Sequence, residues 1–316
     1  IKKKKVMKSK YIVVILMLVP FISTGQTFDK YLQVIEKNNK QLEAARKLKE
    51  KREVQARTGI YPKPFSVSYG YFPDNNTVVD QKQTLNATQS FYLPGVYSKM
   101  KDVADGEGKL AALAYRAERK QILYEAKTLM IEMVFMKKIH RKLQQRIDNA
   151  GKLLEGMEKK SDAGDATIMD VNKAKFHLLG LKRRRSQNQI EMDRLEEQLK
   201  LINGDIPLDF EQGTYPAFPE LPVDSIMTQK EKSLPVVKMA SQQLDIAEQN
   251  ITLEKSLNNP EFTIGYGSET VGSSSFKGVL VGASIPLWTN KNKVNVARAE
   301  ADYMETAFQN KLLEVR

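Results

Sequence analysis

The 316 residues contain no cysteine. That absence excludes a thiolate nucleophile, a Cys-ligated zinc or iron–sulfur site, a disulfide-stapled fold and an N-terminal lipid anchor on cysteine. Histidine is nearly as scarce. His140 and His177 are the only two, too few for a three-histidine metal centre. Beyond the N-terminal leader no stretch approaches the roughly 20 apolar residues of a membrane-spanning helix. No acid, base and nucleophile constellation is visible, and the Gly/Ser-rich stretch 265–278 lacks the Gly-Lys-Ser/Thr of a phosphate cradle. No catalytic, metal-binding or cofactor-binding constellation is thus visible in the sequence. Proline is withheld selectively: none of the 12 falls between Pro94 and Pro207.

What is present sets the class. With 41% hydrophobic and 28% charged residues, the chain has enough apolar material for one large or two ordinary domains and is neither collagenous nor wholly disordered. Its net charge of +12 suggests a nucleic-acid partner until the lysines are placed. Lys2, Lys3, Lys4, Lys5, Lys8 and Lys10 lie in the first ten residues, and without them the balance is about +6, ordinary for this length. These lysines precede an apolar run of about a dozen residues, 11–22, which ends in Ser23, Thr24, Gly25 and Gln26. Basic, apolar and small-residue regions in that order make residues 1–25 a secretory signal, with Met7 as the natural start and 1–6 upstream of it. The mature chain is thus expected to begin near Gln26 and to be periplasmic, secreted or built into an outer membrane as strands.

Along the mature chain, residues 28–58 read as one helix with Phe28, Leu32, Ile35, Leu42 and Ala45 on a stripe. Gly59 and Pro62 stop it. The period then changes to two: Phe65, Val67, Tyr69 and Tyr71 alternate with Ser66, Ser68 and Gly70, as in a strand between two different solvents. After the polar connection 73–83, Leu85, Ala87, Phe91 and Leu93 alternate with Asn86, Thr88, Ser90 and Tyr92, interrupted at Gln89 and ended by Pro94-Gly95.

In the proline-free interval, Leu129, Met133, Met136, His140, Leu143, Ile147, Ala150, Leu154 and Met157 recur at spacings of three and four, a heptad seam. The pattern breaks at Gly164 and resumes as Val171, Ala174, Leu178, Leu181, Arg185, Asn188, Met192, Leu195, Leu199 and Ile202. Two seams joined by a short turn predict an antiparallel helical hairpin. At 1.5 Å per residue, the outgoing helix from about Ser98 spans roughly 95 Å and the return helix about 55 Å. The shortfall of about 40 Å matches the first helix, which is expected to stack end to end on the return helix.

A Pro-rich connection containing Pro207, Pro216, Pro219 and Pro222 follows, and then a helix opened by Pro235. Phe262, Ile264 and Tyr266 next alternate with Thr263, Gly265 and Gly267; the Gly/Ser-rich stretch 265–278 reads as an extracellular loop; and Val279, Val281, Ala283 and Ile285 form a last strand before Pro286. A charged helix begins near Asn290. The order helix, strand, loop, strand, long helix occurs twice, so residues 26–225 are read as one structural repeat and 226–316 as a second, incomplete by roughly 80 residues. The fold class is mainly α with β: long antiparallel coiled-coil hairpins plus four strands suited to a membrane barrel. Four strands cannot close a barrel alone. They belong either to an oligomeric barrel or to a small soluble sheet.

Met130, Met133 and Met136 are placed as core packing rather than soft-metal ligands because Met133 and Met136 sit on the seam, His140 as a seam residue, and Lys182-Arg183-Arg184-Arg185 as a solvated face with no nucleic acid partner. At the turn, Gly164 supplies backbone freedom, and Asp165 and Thr167 resemble a helix-start signal.

Asn38-Asn39-Lys40-Gln41-Leu42, the strand entries 61–71 and 258–267, and the turn Gly164-Asp165-Ala166-Thr167-Ile168-Met169-Asp170-Val171-Asn172-Lys173-Ala174 together resemble the TolC-like outer-membrane efflux protein family over nearly all of the mature chain. The resemblance implies a homotrimer, with four strands per subunit in one shared barrel embedded in outer-membrane lipid and a helical tunnel in the periplasm. It further implies a periplasmic adaptor, or membrane fusion protein, docking at Gly164, Asp165, Thr167, Asp170 and Val171, and beyond it an inner-membrane transporter of the RND type. Capping and docking roles for these residues stand side by side. The implied cargo is drugs or metal ions, the Asn259-Pro260-Glu261-Phe262 entry being similar to heavy-metal members. A type I protein secretion channel and a periplasmic adaptor or structural coiled-coil protein are the alternatives.

Overall fold

The computed structural model describes residues 26–73, 81–216, 234–288 and 290–315. The leader 1–25, most of the 73–83 connection, Pro219, Pro222 and the boundary at 225/226 lie outside the described residues. The elements run α1 (Gln26–Asn38), α2 (Lys40–Ala56), β1 (Ser66–Phe72), β2 (Lys82–Phe91), α3 (Pro94–Asp162), α4 (Ile168–Ile202), α5 (Pro235–Ser256), β3 (Glu261–Val271), β4 (Ser274–Ser284) and α6 (Lys293–Val315). The chain divides into two compact units.

The first unit holds α1 as far as Lys37, α3 from Ala126, α4 to Leu201 and the stretch after Asp205. Its helices follow the heptads. Leu143, Ile147 and Ala150 of α3 pack with Leu181 of α4, with Ile139 and Leu178 beside them. Further along, Met130, Met133 and Val134 meet Leu195 and Leu199, and Phe28 of α1 joins the same cluster. Phe210, from the segment after α4, closes it with edge-on contacts to Phe28 (5.6 Å) and Tyr31 (5.0 Å). Because Phe28, Tyr31 and Leu32 lie alongside Leu195 and Leu199, α1 overlaps the end of α4. The expected end-to-end stacking of a whole 28–58 helix on the return helix is corrected accordingly.

The 28–58 helix is also broken, at Asn39. That residue is extended (φ −64°, ψ 119°), and its side-chain carbonyl accepts from the Leu42 N–H at 2.7 Å, capping α2. Its amide donates to the Ile202 carbonyl at 2.7 Å, satisfying a carbonyl that the end of α4 leaves without an intrahelical partner. Asn38 donates to Asn203, which is almost completely buried. A period of 3.6 passes unchanged through Asn39, so the break shows only in the local cap of Asn39 on Leu42 and in the bonds of Asn39 and Asn38 to Ile202 and Asn203, far along the chain.

The second unit contains α2, α3 to Glu125, all four strands, α5 and α6. α3 approaches α5 closely at Gly106, where a Cβ would lie 2.9 Å from Ile246 Cγ1. Small buried residues, Ala104, Ala111, Ala240 and Ala247, line these helices. Pro94 is the first residue of α3 and so opens a helix as well as ending the strand before it. The sheet is antiparallel in the order β1-β2-β3-β4.

The 265–278 stretch, expected as a loop, is strand except for a two-residue turn. β3 and β4 pair from Glu261↔Ser284 to Val271↔Ser274, leaving Gly272 and Ser273 as the connection, with Gly272 at φ +56°. Its other glycines are spaced to fall on one face of the sheet, so composition suggested a loop where the spacing encodes a strand.

Candidate functional site

Two surfaces carry features that packing of the chain with itself leaves unused. In the sheet, cross-strand register assigns every residue to a face. Val67, Ala87, Tyr266 and Val279 form one row. Tyr69 and Leu85 stand in the next row on that face, and Ile264 and Val281 in the row on its other side. These large apolar side chains are solvent-exposed, Val281 at 80%, far beyond the scattered exposure normal for a surface. The opposite face presents Ser66, Thr88, Gly265 and Leu280 in one row and Ser68, Asn86, Gly267 and Gly278 in the next. A Cβ at Gly265 would lie 2.5 Å from the Ala87 carbonyl oxygen and one at Gly267 2.9 Å from Asn86 Oδ1, so this face has no room for side chains at its centre. The alternation read from the sequence is thus continuous across four strands. β1 and β4 are open edges, each with one unpaired row of backbone groups. No described helix is long and apolar enough to cross a membrane, a statement that does not bear on the strands.

The second surface is the turn between α3 and α4. Gly164 adopts φ +81°, its N–H bonds the Ser161 carbonyl at 3.1 Å, and the Asp165 N–H bonds the Lys160 carbonyl at 2.8 Å. These are the two hydrogen bonds of a Schellman C-cap. Asp165 therefore belongs to the end of α3, and the reading that paired it with Thr167 as a helix-start signal is corrected. Thr167 alone caps α4. Its hydroxyl accepts from the Asp170 N–H at 3.3 Å and donates to Asp170 Oδ2 at 2.6 Å, while its own N–H donates to the same carboxylate at 3.3 Å, a reciprocal capping box. These bonds from Thr167, first the hydroxyl and then the backbone N–H, hold the Asp170 carboxyl below the usual carboxylate range. Val171 is buried where the two helices meet.

The five residues picked from the sequence thus meet in one rigid turn. Sequence reading missed what the turn displays: Ile168 and Met169, in the first turn of α4, are 75% and 63% exposed. Beside them a hollow of about 460 Å³ is lined by Met157, Lys160, Asp165, Lys173 and His177 among others. The off-phase position of Ile168-Met169 relative to the Val171 seam is the signal that could have found them.

His140 keeps its seam position and accepts a hydrogen bond from Arg185 Nε at 3.4 Å. Asn188, also in the seam, donates to Met136 Sδ at 3.3 Å. Among the described residues, no group of three or more His, Asp or Glu side chains is placed to hold a metal ion.

No protein-family model and no curated protein matches the chain. Its structure is similar to solved outer-membrane channels at low sequence identity. With CusC, whose structures concern folding and transmembrane channel formation, the TM-score is 0.68 at 16% identity, covering 93% of this chain and 72% of that one. With the CmeC outer membrane channel of Campylobacter jejuni the score is 0.68 at 16%, covering 92% and 68%. With the outer membrane protein VceC of Vibrio cholerae it is 0.70 at 13%, covering 92% and 76%. The chain has the fold of these channels over more than nine-tenths of its length.

Proposed function

We propose that the chain is one subunit of an outer-membrane export channel, the passive conduit of a tripartite efflux system. The observation that carries this reading is the sheet itself, with one exposed apolar face, one small polar face and two open edges. An apolar band facing outward and a polar lining facing inward is the physical requirement of a membrane barrel. The edges must be paired by something, since unpaired backbone groups are costly in lipid. β1 and β4 run antiparallel to each other, so β4 of one copy can pair with β1 of the next and preserve the alternation. Three copies, the number implied by the family resemblance, would bring roughly twelve strands, within the even-numbered barrels known from about eight upward.

In this reading residues 1–25 direct export, and 26–225 and 226–316 are two structural repeats of a wall that stands in the outer membrane and reaches into the periplasm. The turn formed by Gly164, Asp165, Thr167, Asp170 and Val171 presents Ile168 and Met169 to a periplasmic adaptor, which links the conduit to an inner-membrane transporter of the RND type. Drugs or metal ions are the cargo. No chemistry is performed on them, so no catalytic residue is required. The test is fractionation of the full chain expressed in a Gram-negative host. Sedimentation with outer-membrane density, together with ion conductance of the purified protein in planar bilayers, is expected; a chain that stays soluble after membranes are pelleted overturns the reading.

A further inference from the structure

The polar face of the sheet carries large apolar side chains at two places, Leu280 at the end of the row of Ser66, Thr88 and Gly265, and the hairpin end. Gly70, Thr84, Glu269 and Phe276 form a row, and Phe72, Lys82, Val271 and Ser274 form the last row beyond it. Phe72 and Phe276 are therefore on the face of the small polar residues, not on the face of Val279 and Val281. Both are exposed, at 55% and 63%. The Phe72 ring leans back over Gly70, its Cε2 lying 2.9 Å from where a Gly70 Cβ would be. That tilt brings it level with the row that ends in Phe276. One phenyl ring thus stands on each edge strand. Between them Lys82 Nζ pairs with Glu269 Oε1 at 2.8 Å, which cancels the only two charges in these rows.

Apart from Leu280 and Glu261, the rest of this face carries hydroxyls, amides and glycine, which suit a water-filled passage. Two phenyl groups exposed on such a face gain nothing from the solvent around them and do not belong to the outward apolar band. Their placement on opposite edges puts Phe276 of one copy and Phe72 of the next on the two strands that closure of the barrel would pair.

We propose that Phe72 and Phe276 form an aromatic collar on the inner wall of the pore at its hairpin end, an apolar, charge-neutral step that selects for apolar and aromatic organic cargo over hydrated ions. The inference rests on the channel reading above and narrows its cargo class. Dewetting at an apolar constriction resists a hydrated ion, whereas π faces favour a passing aromatic or organic cation. The ring over Gly70 also restores the packing that glycine lacks in the strand, which keeps the collar rigid.

The experiment uses channels purified from membranes and held in planar bilayers in potassium chloride, with tetraphenylphosphonium added on the hairpin side. Wild-type channels are expected to be blocked. In the Phe72→Ala/Phe276→Ala variant the half-blocking concentration rises about tenfold and potassium conductance rises at least about twofold. Phe72→Trp/Phe276→Trp restores the block, and Val279→Ala, on the outward face, leaves both readings at wild-type values. If the alanine variant does not assemble, the single variants Phe72→Leu and Phe276→Leu keep apolar bulk and remove the π face, so the block weakens while conductance holds. Conducting variants with unchanged block and unchanged conductance overturn the collar alone. Wild-type protein that never conducts overturns the channel reading, and the collar with it.

Discussion

Gly164 and Gly204 hold nearly the same left-handed backbone, φ +81° and +73°, and each follows a long helix, yet they differ in what surrounds them. A Cβ at Gly164 would meet nothing within 4 Å, whereas one at Gly204 would lie 2.3 Å from the Asn38 carbonyl oxygen. Gly164→Ala therefore carries only the left-handed penalty of about 1–2 kcal/mol. Gly204→Ala adds a collision with backbone that cannot rotate away, for about 3 kcal/mol or more. Melting followed by circular dichroism should show Gly204→Ala losing the larger share of stability; equal losses would mean that the chain yields at Asn38. Gly164 was legible in the sequence because the heptad fails there. The asparagine knot behind Gly204 was not, because Asn38 and Asn203 are 165 positions apart and neither stands out against its polar neighbours.

Among elements, the hairpin seam was the most legible part of the molecule, because an apolar residue every three or four positions over so many turns has no other stable use. Its polar interruptions say more about specificity than about stability. Asn188 is 7% exposed, and its Oδ1 has no hydrogen-bond partner among the described residues; the buried Nδ1 of His140 is likewise without one there. A buried amide with an unmet acceptor costs about 1–3 kcal/mol, and polar seam residues are best attested as devices that fix helix register. Asn188→Leu is therefore expected to raise the melting temperature of the purified chain while broadening the set of helix registers. A fall in melting temperature would show instead that the Asn188 carbonyl is satisfied in the assembled protein. Two elements were misread for the opposite reason: helical period runs straight through the Asn39 break, and a Gly/Ser-rich composition hid the pairing of β3 with β4.

At the scale of the whole molecule, what is left uncovered matters more than what is packed. Val67, Tyr69, Ile264, Val279 and Val281 are exposed on one side of the sheet, and its two edge strands lack partners among the described residues. A monomer in water would carry both a large apolar patch and two aggregation-prone edges. In the proposed channel, membrane insertion would cover the first and association of copies the second. Native mass measurement in detergent should give a closed oligomer, three copies on the reading above; a stable monomer would leave both edges open and contradict a shared barrel. The described strands have 7, 10, 11 and 11 residues, close to the 9–11 that a tilted strand needs to cross a bilayer.

Periodicity is a local property, so the helical hairpin, the two-sided strands and the turn at Gly164 could be read from spacing alone. The absence of cysteine, the pair of histidines and the unbroken run from Pro94 to Pro207 likewise constrained the chemistry before any coordinate was known. Register, by contrast, depends on which residues of distant strands meet, and a shift of one position moves every side chain to the other face. The alignment of Phe72 and Phe276 on one face of the sheet, the bonds from Asn38 and Asn39 to Asn203 and Ile202, and the closing of Phe210 over Phe28 all arise from such long-range pairings, which no window of neighbouring residues encodes.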